Sequence, residues 1–448
     1  MKHTLYPSAL LLSLLLVGCG GGSDKDIPPP EQEPAPTAAA PVSEAEEIAA
    51  QELIAEKTKA ESEAEVADTP ATEETTPPVP PSDPAVVETS EASVVAASTT
   101  TLFHLYVATT GSDSNPATKD RPFKTIVKAS QVAKPGTTVH VAPGTYPGGF
   151  ITSTNGTPDR RIRYLSDVKW GAKIVPAANS RTNKAWLNRG NYIDIHGFQL
   201  DGRNHVSGTR WWSGIINEGS SIVIKDNYVH HIANRVEDCQ SNGGSGINAH
   251  TARLGYLVEI YANVVHDIGV KGIGCRWIHG IYMNTSGKVR NNLTYNNGFA
   301  GIAVSHDASN LIISNNTVVN NGSGIHMSGS GFYHSTTRMM DYVDVANNIV
   351  VNNGESGIRN TGIHGTHNTY TNNLVYGNGQ YSVVVRNATA VGTITKDPQF
   401  VSSTDFRLKS TSPAINAGDA RYAPTTDLLG VRRPVNGRDD LGAYESRY

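Results

Sequence analysis

The sequence has 448 residues, enough for several ordinary domains or for one long solenoid. Its formal net charge of −4 argues against a general nucleic-acid binder, because such proteins carry a strong basic patch. Only 17% of the residues are charged and 43 are glycine, which favours many short strands joined by turns over a helical protein.

The N-terminus carries the pattern of an export signal. A leucine-rich run over 9–17 is too short to span a bilayer and is typical of a signal peptide. It ends in Leu16-Val17-Gly18-Cys19, which resembles the lipobox of bacterial lipoproteins. The resemblance implies a signal peptide over 1–18 and a lipidated Cys19. Because Gly20 follows rather than Asp, it also implies an anchor in the outer membrane, on either side. The alternative is an ordinary cleaved signal with an incidental cysteine.

Residues 19–100 consist mainly of Pro, Ala, Glu and Thr with almost no aromatic residues. Such a segment cannot bury enough apolar surface to offset the entropy lost on ordering. We therefore expect a flexible tether that holds the folded part of the chain, 101–448, away from the membrane.

The first folded stretch contains a strand, a helix and a second strand in close succession. Strand patterns at 105–108 and 138–141 flank a helical pattern at 123–133, and Gly144-Thr145-Tyr146 follows. This order resembles the N-terminal cap and first turn of right-handed parallel β-helix proteins, a group that includes polysaccharide lyases. The resemblance implies an all-β fold over 101–448, a single-stranded right-handed parallel β-helix with a short N-terminal capping helix.

A three-residue phrase centred on Gly-Ile then returns at intervals of roughly 20 to 35 residues, the range of repeats that stack into solenoids. Its copies are Ser213-Gly214-Ile215, Ser245-Gly246-Ile247, His279-Gly280-Ile281, Ala300-Gly301-Ile302, Ser323-Gly324-Ile325 and Ser356-Gly357-Ile358. One turn cannot bury its apolar side alone, but stacked turns form a continuous core. The phrase therefore predicts a coil of short strands.

Asparagine pairs recur in the same rhythm, at Asn291-Asn292, Asn315-Asn316, Asn347-Asn348 and Asn372-Asn373. Asparagine tolerates the left-handed backbone of a tight bend, and its side chain can bond to copies in the turns above and below. We expect these pairs to be structural, at the bends between strands.

Cys239 and Cys275 precede successive Gly-Ile strands by similar distances, which places them on neighbouring turns. Beyond the inner membrane they can be oxidised, so a disulfide and a pair of buried thiols are both open.

The C-terminal stretches 405–408 and 440–445 resemble the closing segment of bacterial β-helix proteins. We expect that segment to cover the open edge of the last turn.

Side chains alternate across a strand, so the residue after each inward Ile points outward. These outward positions, together with the ones two residues further on, are Ile216/Glu218, Asn248/His250, Tyr282/Asn284, Ala303/Ser305, His326/Ser328 and Arg359/Thr361. Stacked turns would align the polar ones into a surface stripe roughly 20 Å long. Nearby aromatic side chains that can stack on sugar rings are Trp211, Trp212, Trp277 and Tyr333. The pattern favours a carbohydrate groove.

The resemblance to polysaccharide lyases implies β-elimination on an acidic, uronate-containing polysaccharide. That reaction needs a base, an acid and a group that neutralises the uronate carboxylate. We expect Tyr282 and His326 to supply the acid and the base, with either residue in either role. Asn248 and Arg359 are expected to neutralise the uronate carboxylate. Further candidates for catalysis or substrate binding are His250, His279, Asn284, Trp277 and, as an alternative base and acid pair, Lys271 and Arg276.

The chain departs from known β-helix enzymes in lacking the aspartate cluster of the calcium-dependent pectate lyases. A cofactor is therefore not certain, although Ca²⁺ ligands could come from Glu218, Glu237, Asp238 and Asp307. Three alternatives to a lyase stay open: a glycoside hydrolase or a uronate epimerase on the same fold, and a non-catalytic carbohydrate-binding surface lipoprotein. We expect a monomer whose partners are the polysaccharide and the membrane lipid.

Overall fold

A computed structural model describes residues 103–240, 243–250, 257–272, 275–329 and 339–448. The predicted signal peptide, the Cys19 lipidation site and the tether lie outside the described residues. Within the described ranges, every helix is too short or too polar to cross a membrane.

The fold is a right-handed parallel β-helix in which each turn supplies one strand to each of three parallel sheets. Sheet A contains β1 (Phe103–Val107), β2 (Thr137–Val141), β5 (Ile162–Ser166), β8 (Ile193–His196), β11 (Ile222–Lys225), β14 (Val258–Tyr261), β17 (Gly287–Arg290), β20 (Leu311–Ser314), β23 (Val343–Ala346), β26 (Thr369–Thr371) and β29 (Ala390–Val391). Sheet B contains β3 (Gly144–Pro147), β6 (Ala172–Val175), β9 (Gln199–Asp201), β12 (Tyr228–His230), β15 (Val264–His266), β18 (Leu293–Tyr295), β21 (Thr317–Val319), β24 (Ile349–Val351) and β27 (Leu374–Tyr376). Sheet C contains β4 (Phe150–Thr152), β7 (Lys184–Asn188), β10 (Ser213–Asn217), β13 (Gly244–Ala249), β16 (Ile278–Met283), β19 (Ala300–Ser305), β22 (Ser323–Gly329), β25 (Ser356–Gly362) and β28 (Tyr381–Val384). The predicted fold class is confirmed.

The N-terminal helix is α1 (Ile126–Val132), shorter than the predicted 123–133. It begins where the Thr125 hydroxyl accepts a hydrogen bond from the backbone N–H of Lys128 at 3.1 Å. Such a cap satisfies one of the free N–H groups of the first turn. Ile126 and Ala129 are buried against the coil, so the helix has the predicted capping position. A short 3-10 helix, Val236–Gln240, lies in a later connection.

The Gly-Ile phrase builds the interior of sheet C. The isoleucines align in register from Ile215 through Ile247, Ile281, Ile302 and Ile325 to Ile358, and each is essentially inaccessible to solvent. The glycine is required by a close backbone approach: a Cβ on Gly280 would lie 2.6 Å from the carbonyl oxygen of Gly301. The repeated phrase is therefore a packing rule of the coil.

The two members of each asparagine pair have different roles: the first forms the bend between strands, and the second forms a hydrogen-bonded ladder between turns. The first member of each pair has a left-handed backbone, as at Asn291 with φ 54 and Asn315 with φ 52. The second is buried, and its amide bonds to the copy in the next turn: Asn292 Nδ2 donates to Asn316 Oδ1 at 3.0 Å. This ladder runs through Asn227, Asn263, Asn292, Asn316, Asn348 and Asn373. A second ladder at the corner between sheets B and C runs through Asn297, Asn321, Asn353 and Asn378.

The C-terminal segment, 395–448, packs along the outer side of sheet B. Its apolar side chains meet outward residues of that sheet in two clusters, Phe406, Leu428 and Ala443 on Val264, Leu293 and Val319, and Leu408, Ala414 and Leu441 on Ile349, Val351 and Leu374. A fully buried ion pair, Arg433 to Glu445 at 2.6 Å, holds the segment's own fold. The prediction that this segment covers the edge of the last turn is therefore wrong: it lies along the side of several turns.

Cys239 and Cys275 form a disulfide between neighbouring turns. It ties the connection that precedes β13 to the one that precedes β16, and thus fixes the entrance to two adjacent strands of sheet C.

Candidate functional site

The predicted polar row is present on the outer face of sheet C. Register pairs join Ile216 to Asn248, Asn248 to Tyr282, Tyr282 to Ala303, Ala303 to His326 and His326 to Arg359. The row two residues further on is also aligned, as Ser305 pairs with Ser328 and Ser328 with Thr361. The phrase spacing therefore predicted which residues share this face.

The face is less open than predicted. Asn248, His250, Tyr282 and Arg359 are half-buried, but His326 is only 2% exposed and Asn284 is inaccessible. His326 is closed off because the ring of Phe299 lies 5.2 Å from its own. Asn284 turns its Nδ2 to His250 Nδ1 at 2.9 Å. The expectation that the polar row lies at the surface is wrong at these two positions and also at Ser305, Ser328 and Thr361, which are buried.

His279 joins Tyr282 at the centre of the face. Their rings stack with centroids 5.5 Å apart, and the ring of Phe299 lies 5.6 Å from His279. Burial, together with the neighbouring His326, lowers the pKa of His279 to about 3. Burial raises the pKa of Tyr282 to about 12, against the effect of its hydrogen bond with Ser305. At neutral pH the pair is therefore a neutral imidazole beside a protonated phenol.

These values bear on the predicted role of Tyr282. A tyrosine acts as a base only where positive charge lowers its pKa, and here the pKa is raised. Two arginines of this region, Arg276 and Arg359, lie against the carboxylate of Glu355 instead of beside the Tyr282 hydroxyl. Tyr282 is thus placed to donate a proton, and of its two predicted roles the acid is the one that the electrostatics support.

Two polar atoms beside Tyr282 lack hydrogen-bond partners within the described part of the chain. They are Asn248 Oδ1, on the neighbouring strand β13, and His279 Nδ1, and both are buried. A buried polar atom left unpaired costs about 1–3 kcal/mol, so such atoms cluster where a ligand supplies the missing partner. The centre of the face is therefore suited to the hydroxyl groups of a sugar.

A charged group lies toward the C-terminal end of the same face. Glu355 accepts from Arg359 at 3.1 Å and lies 3.8 Å from Arg276, while the Arg359 guanidinium stands 5.2 Å above the ring of Tyr381. Two guanidinium groups share one carboxylate, so the group carries a surplus positive charge. Sequence reasoning missed Glu355, which lies directly before β25 and so outside the strand alternation that was used.

The remaining predicted binding residues are dispersed. Lys271 is hydrogen-bonded to Asn320, and burial lowers its pKa, whereas Arg276 engages Glu355. The proposed Lys271 and Arg276 pair therefore has separate partners. Trp277 is half-buried, and its carbonyl oxygen accepts from Gly244 N at the start of β13.

Of the other aromatic residues, Trp212 is half-buried and its carbonyl oxygen accepts from Ser245 N. Trp211 is buried in the core and unavailable to sugar, which corrects its prediction. Tyr333 lies outside the described residues.

The residues proposed for calcium do not assemble. Glu218 bonds to Arg189 at 2.9 Å, Asp238 pairs with Arg210, Asp307 is inaccessible, and Glu237 is exposed. Among the described residues, the groups of three or more ligand atoms that lie close enough for one ion combine histidine with aspartate: Asp201, His230 and His231, and His231, His266 and Asp267. The two groups found among the described residues therefore differ from the oxygen-rich ligand set that Ca²⁺ prefers.

The three parallel sheets and the coil that they form place the chain among the right-handed parallel β-helix proteins. The family model described as the Pel9A-like right-handed β-helix region matches residues 105–392, so the chain belongs to that family.

Similar proteins span the fold with little identity. The structure of pectate lyase Pel9A superposes with a TM-score of 0.52 at 16% identity, covering 77% of this chain and 96% of that one. The A-module of mannuronan C-5 epimerase AlgE4 of Azotobacter vinelandii has a TM-score of 0.44 at 17% identity over 60% of this chain and 70% of that one. At this identity the likeness to pectate lyase Pel9A shows the fold alone.

One curated relative, the uncharacterized protein YwoF of Bacillus subtilis (strain 168), is 31% identical over 146 residues. The match covers 31% of this chain and 31% of YwoF, so this chain spans about a third of that relative.

Proposed function

We propose that this protein is a polysaccharide lyase that cleaves an acidic, uronate-containing polysaccharide by β-elimination on the outer face of sheet C. The observation that carries the proposal is the stacked pair of neutral His279 and protonated Tyr282 on that face, with a surplus guanidinium charge nearby. Membership of the Pel9A-like family and the fold shared with a pectate lyase support it.

His279 and Tyr282 take the two proton-transfer roles. The neutral imidazole of His279 accepts the proton on C5 of the uronate, and the electrons of that C–H bond form the C4–C5 double bond. The bond from C4 to the glycosidic oxygen breaks, and the Tyr282 hydroxyl protonates that leaving oxygen. The products are a new chain end and an unsaturated uronate, and proton return from imidazole to phenol restores the starting state.

The guanidinium groups serve the carboxylates of the substrate. Tyr282 and Arg359 are separated by three strand spacings, or about 14 Å along the coil. Arg359 therefore binds the uronate of a neighbouring subsite. Arg276 reaches the same Glu355 carboxylate as Arg359, so both guanidinium groups are assigned to substrate carboxylates at this end of the face.

A hydrolase is disfavoured by the positions of the carboxylates on this face. Glu218 follows β10 and Glu355 precedes β25, five strand spacings apart, which amounts to about 24 Å. The carboxyl pairs of glycosidases lie at most about 9.5 Å apart. Both acids are also engaged by arginine, Glu218 by Arg189 and Glu355 by Arg359.

The test is incubation of the purified protein with a panel of uronate polymers, with ultraviolet absorbance of unsaturated product and reducing ends measured together. The proposal predicts that the two signals rise in step on at least one polymer. Reducing ends without absorbance would assign a hydrolase, and an altered uronate epimer ratio without scission would assign an epimerase. No change in any polymer, with or without added divalent cation, would overturn the enzymatic proposal.

The proposal includes anchoring of the enzyme to the cell envelope through Cys19. The motif Leu16-Val17-Gly18-Cys19 supports it, and the tether over 19–100 would let the lyase reach polymer away from the membrane. Mass spectrometry of the mature N-terminus tests it: a diacylglyceryl cysteine is expected, and an unmodified N-terminus after cleavage elsewhere would contradict it.

A further inference from the structure

Three histidines and two aspartates gather on the outer face of sheet B and its adjoining corner, outside the sheet C face. Asp201, His230 and His266 end successive strands β9, β12 and β15 and are register partners. His231 and Asp267 follow directly in the chain. The rings of His230 and His266 stack with centroids 5.2 Å apart. The side chains of neighbouring turns are thereby brought into one cluster.

The cluster lies where the coil needs no such residues. In later turns the strand-end position holds Val319 and Val351, which the C-terminal segment covers. The corner position holds Asn296, Asn320 and Asn352, each with the left-handed backbone also found at His231 and Asp267, where φ is 56 and 52. Asparagine is therefore sufficient for the left-handed backbone of this corner position. Histidine and aspartate adopt the same backbone and in addition supply atoms that can bind a metal.

The cluster contains two overlapping trios that share His231. In the first, the Asp201 carboxylate is held by Arg203, with contacts of 2.6 to 3.1 Å, so a cation would have to displace a guanidinium. In the second, Asp267 Oδ2 lies 2.6 Å from His266 Nδ1 and 3.9 Å from His231 Nε2. No arginine holds Asp267 among the contacts of the described residues, and its side chain and that of His231 are about one-third exposed.

We propose that His231 Nε2, His266 Nδ1 and a carboxylate oxygen of Asp267 bind a divalent transition metal ion of the zinc class, with solvent completing its coordination. Two imidazole nitrogens and one carboxylate are a ligand set that Zn²⁺ takes in open sites, whereas Ca²⁺ takes six to eight oxygens. Ligands about 2.0–2.1 Å from one tetrahedral ion are about 3.3 Å apart, and the two distances here bracket that value.

A second layer of side chains can hold these ligands in the form that a metal requires. His266 Nε2 lies 2.8 Å from the Tyr228 hydroxyl, and His231 Nδ1 lies 2.8 Å from His230 Nδ1, whose ring reaches the Gln199 amide at 2.9 Å. A hydroxyl and a side-chain amide each donate or accept. The far nitrogen of each ligand can therefore carry its proton while the near nitrogen presents a lone pair. The hydrogen bond between His266 Nδ1 and Asp267 Oδ2 is given up, and both atoms become ligands of the ion. Such partners are typical of metal-bound histidines.

The test uses the full chain without a polyhistidine tag, stripped of metal and titrated with Zn²⁺ by calorimetry and with Co²⁺ by visible absorption. The variants are H231N and D267N, which place the residue of later turns at both positions and keep the backbone unstrained. The matched control is H367N, which removes an exposed histidine paired with Asp341 at 2.8 Å outside any trio.

Wild type and H367N are expected to bind one ion per chain, and H231N and D267N to bind it at least about tenfold more weakly. Saturating Zn²⁺ is expected to raise the Tm of wild type and H367N only. Circular dichroism identifies any variant that fails to fold, and the other corner variant then decides. Absence of saturable binding in wild type, or binding that both variants retain, would overturn the proposal.

Discussion

The hydrogen bonding of asparagine side chains differs between two regions of the molecule, the interior ladder and the outer face of sheet C. Asn316, in the interior ladder, donates through Nδ2 to Val289 O and Asn348 Oδ1, and its own Oδ1 accepts from Asn292. Asn248, on the outer face of sheet C, has a buried Oδ1 without a hydrogen-bond partner in the described ranges. The fold satisfies the first side chain completely and leaves part of the second unsatisfied. This difference in hydrogen bonding distinguishes residues that stabilise the coil from residues whose unpaired atoms can bind a ligand.

The largest effect is expected from removing the proposed acid. Tyr282→Phe keeps the ring that stacks on His279 but removes the hydroxyl, so kcat on the uronate substrate should fall about 10²–10⁴-fold. Steady-state kinetics measure this, with the melting temperature as a control for folding. Retained kcat in a folded variant would remove Tyr282 from the mechanism.

The next effect concerns the ladder. Asn316→Ala removes four hydrogen bonds in the interior, those that Asn292 N and Asn292 Nδ2 donate to its side chain and those that its side chain donates to Val289 O and Asn348 Oδ1. At about 1 kcal/mol for each hydrogen bond lost, the free energy of unfolding should drop by about 4 kcal/mol. Denaturant unfolding measures the drop, and kcat of the folded fraction should be unchanged. A loss below about 1 kcal/mol would show that the ladder is not a main source of stability.

The disulfide between Cys239 and Cys275 closes a loop in the unfolded chain. Replacing both cysteines with serine should lower the free energy of unfolding by about 2–4 kcal/mol, because the unfolded chain regains loop entropy. Comparison of the oxidised wild type with the double variant under identical denaturant conditions checks it. Equal free energies of unfolding for the wild type and the double variant would contradict a stabilising role for the disulfide.

Acid should destabilise the protein through His279. Its pKa is lowered to about 3 in the folded state, so the unfolded chain binds a proton below the ordinary histidine pKa and the folded chain does not. The resulting stability is fully present above about pH 6.5 and falls by about 1.4 kcal/mol per pH unit down to about pH 3. His279→Gln should reduce the slope of the free energy of unfolding against pH by the amount that corresponds to one bound proton. Identical slopes in wild type and variant would contradict the buried neutral imidazole.

The smallest effect on stability is expected at Asn248. Asn248→Ala removes an unsatisfied oxygen, so the free energy of unfolding should change by less than about 1 kcal/mol, in contrast with Asn316→Ala. KM for the polymer should rise, because a partner for a sugar hydroxyl is lost. A destabilisation equal to that of Asn316→Ala would erase the distinction between the two regions.

Much of the coil could be predicted from the sequence because stacked turns repeat one local rule. The Gly-Ile phrase predicts which side chains align, and the register of Asn248, Tyr282, His326 and Arg359 follows from it. Exposure could not be predicted in the same way. His326 is closed by Phe299, which lies just before β19, outside the strand pattern.

The cluster on sheet B could not be predicted from the Gly-Ile phrase, because that phrase forms sheet C and says nothing of the strand ends of sheet B. The signal was present: His231 and Asp267 occupy a corner that otherwise holds asparagine. The course of the C-terminal segment also had a signal, since β21 and β24 are apolar on both faces and so require cover on the outside.

The central claim is that the outer face of sheet C is the catalytic face. A crystal structure of Tyr282→Phe with a bound uronate oligosaccharide tests it most directly. We expect a sugar chain along β13 to β25, with one uronate over His279 and a carboxylate at the Arg276, Glu355 and Arg359 group. An oligosaccharide bound to sheet A or sheet B, with the sheet C face vacant, would contradict it.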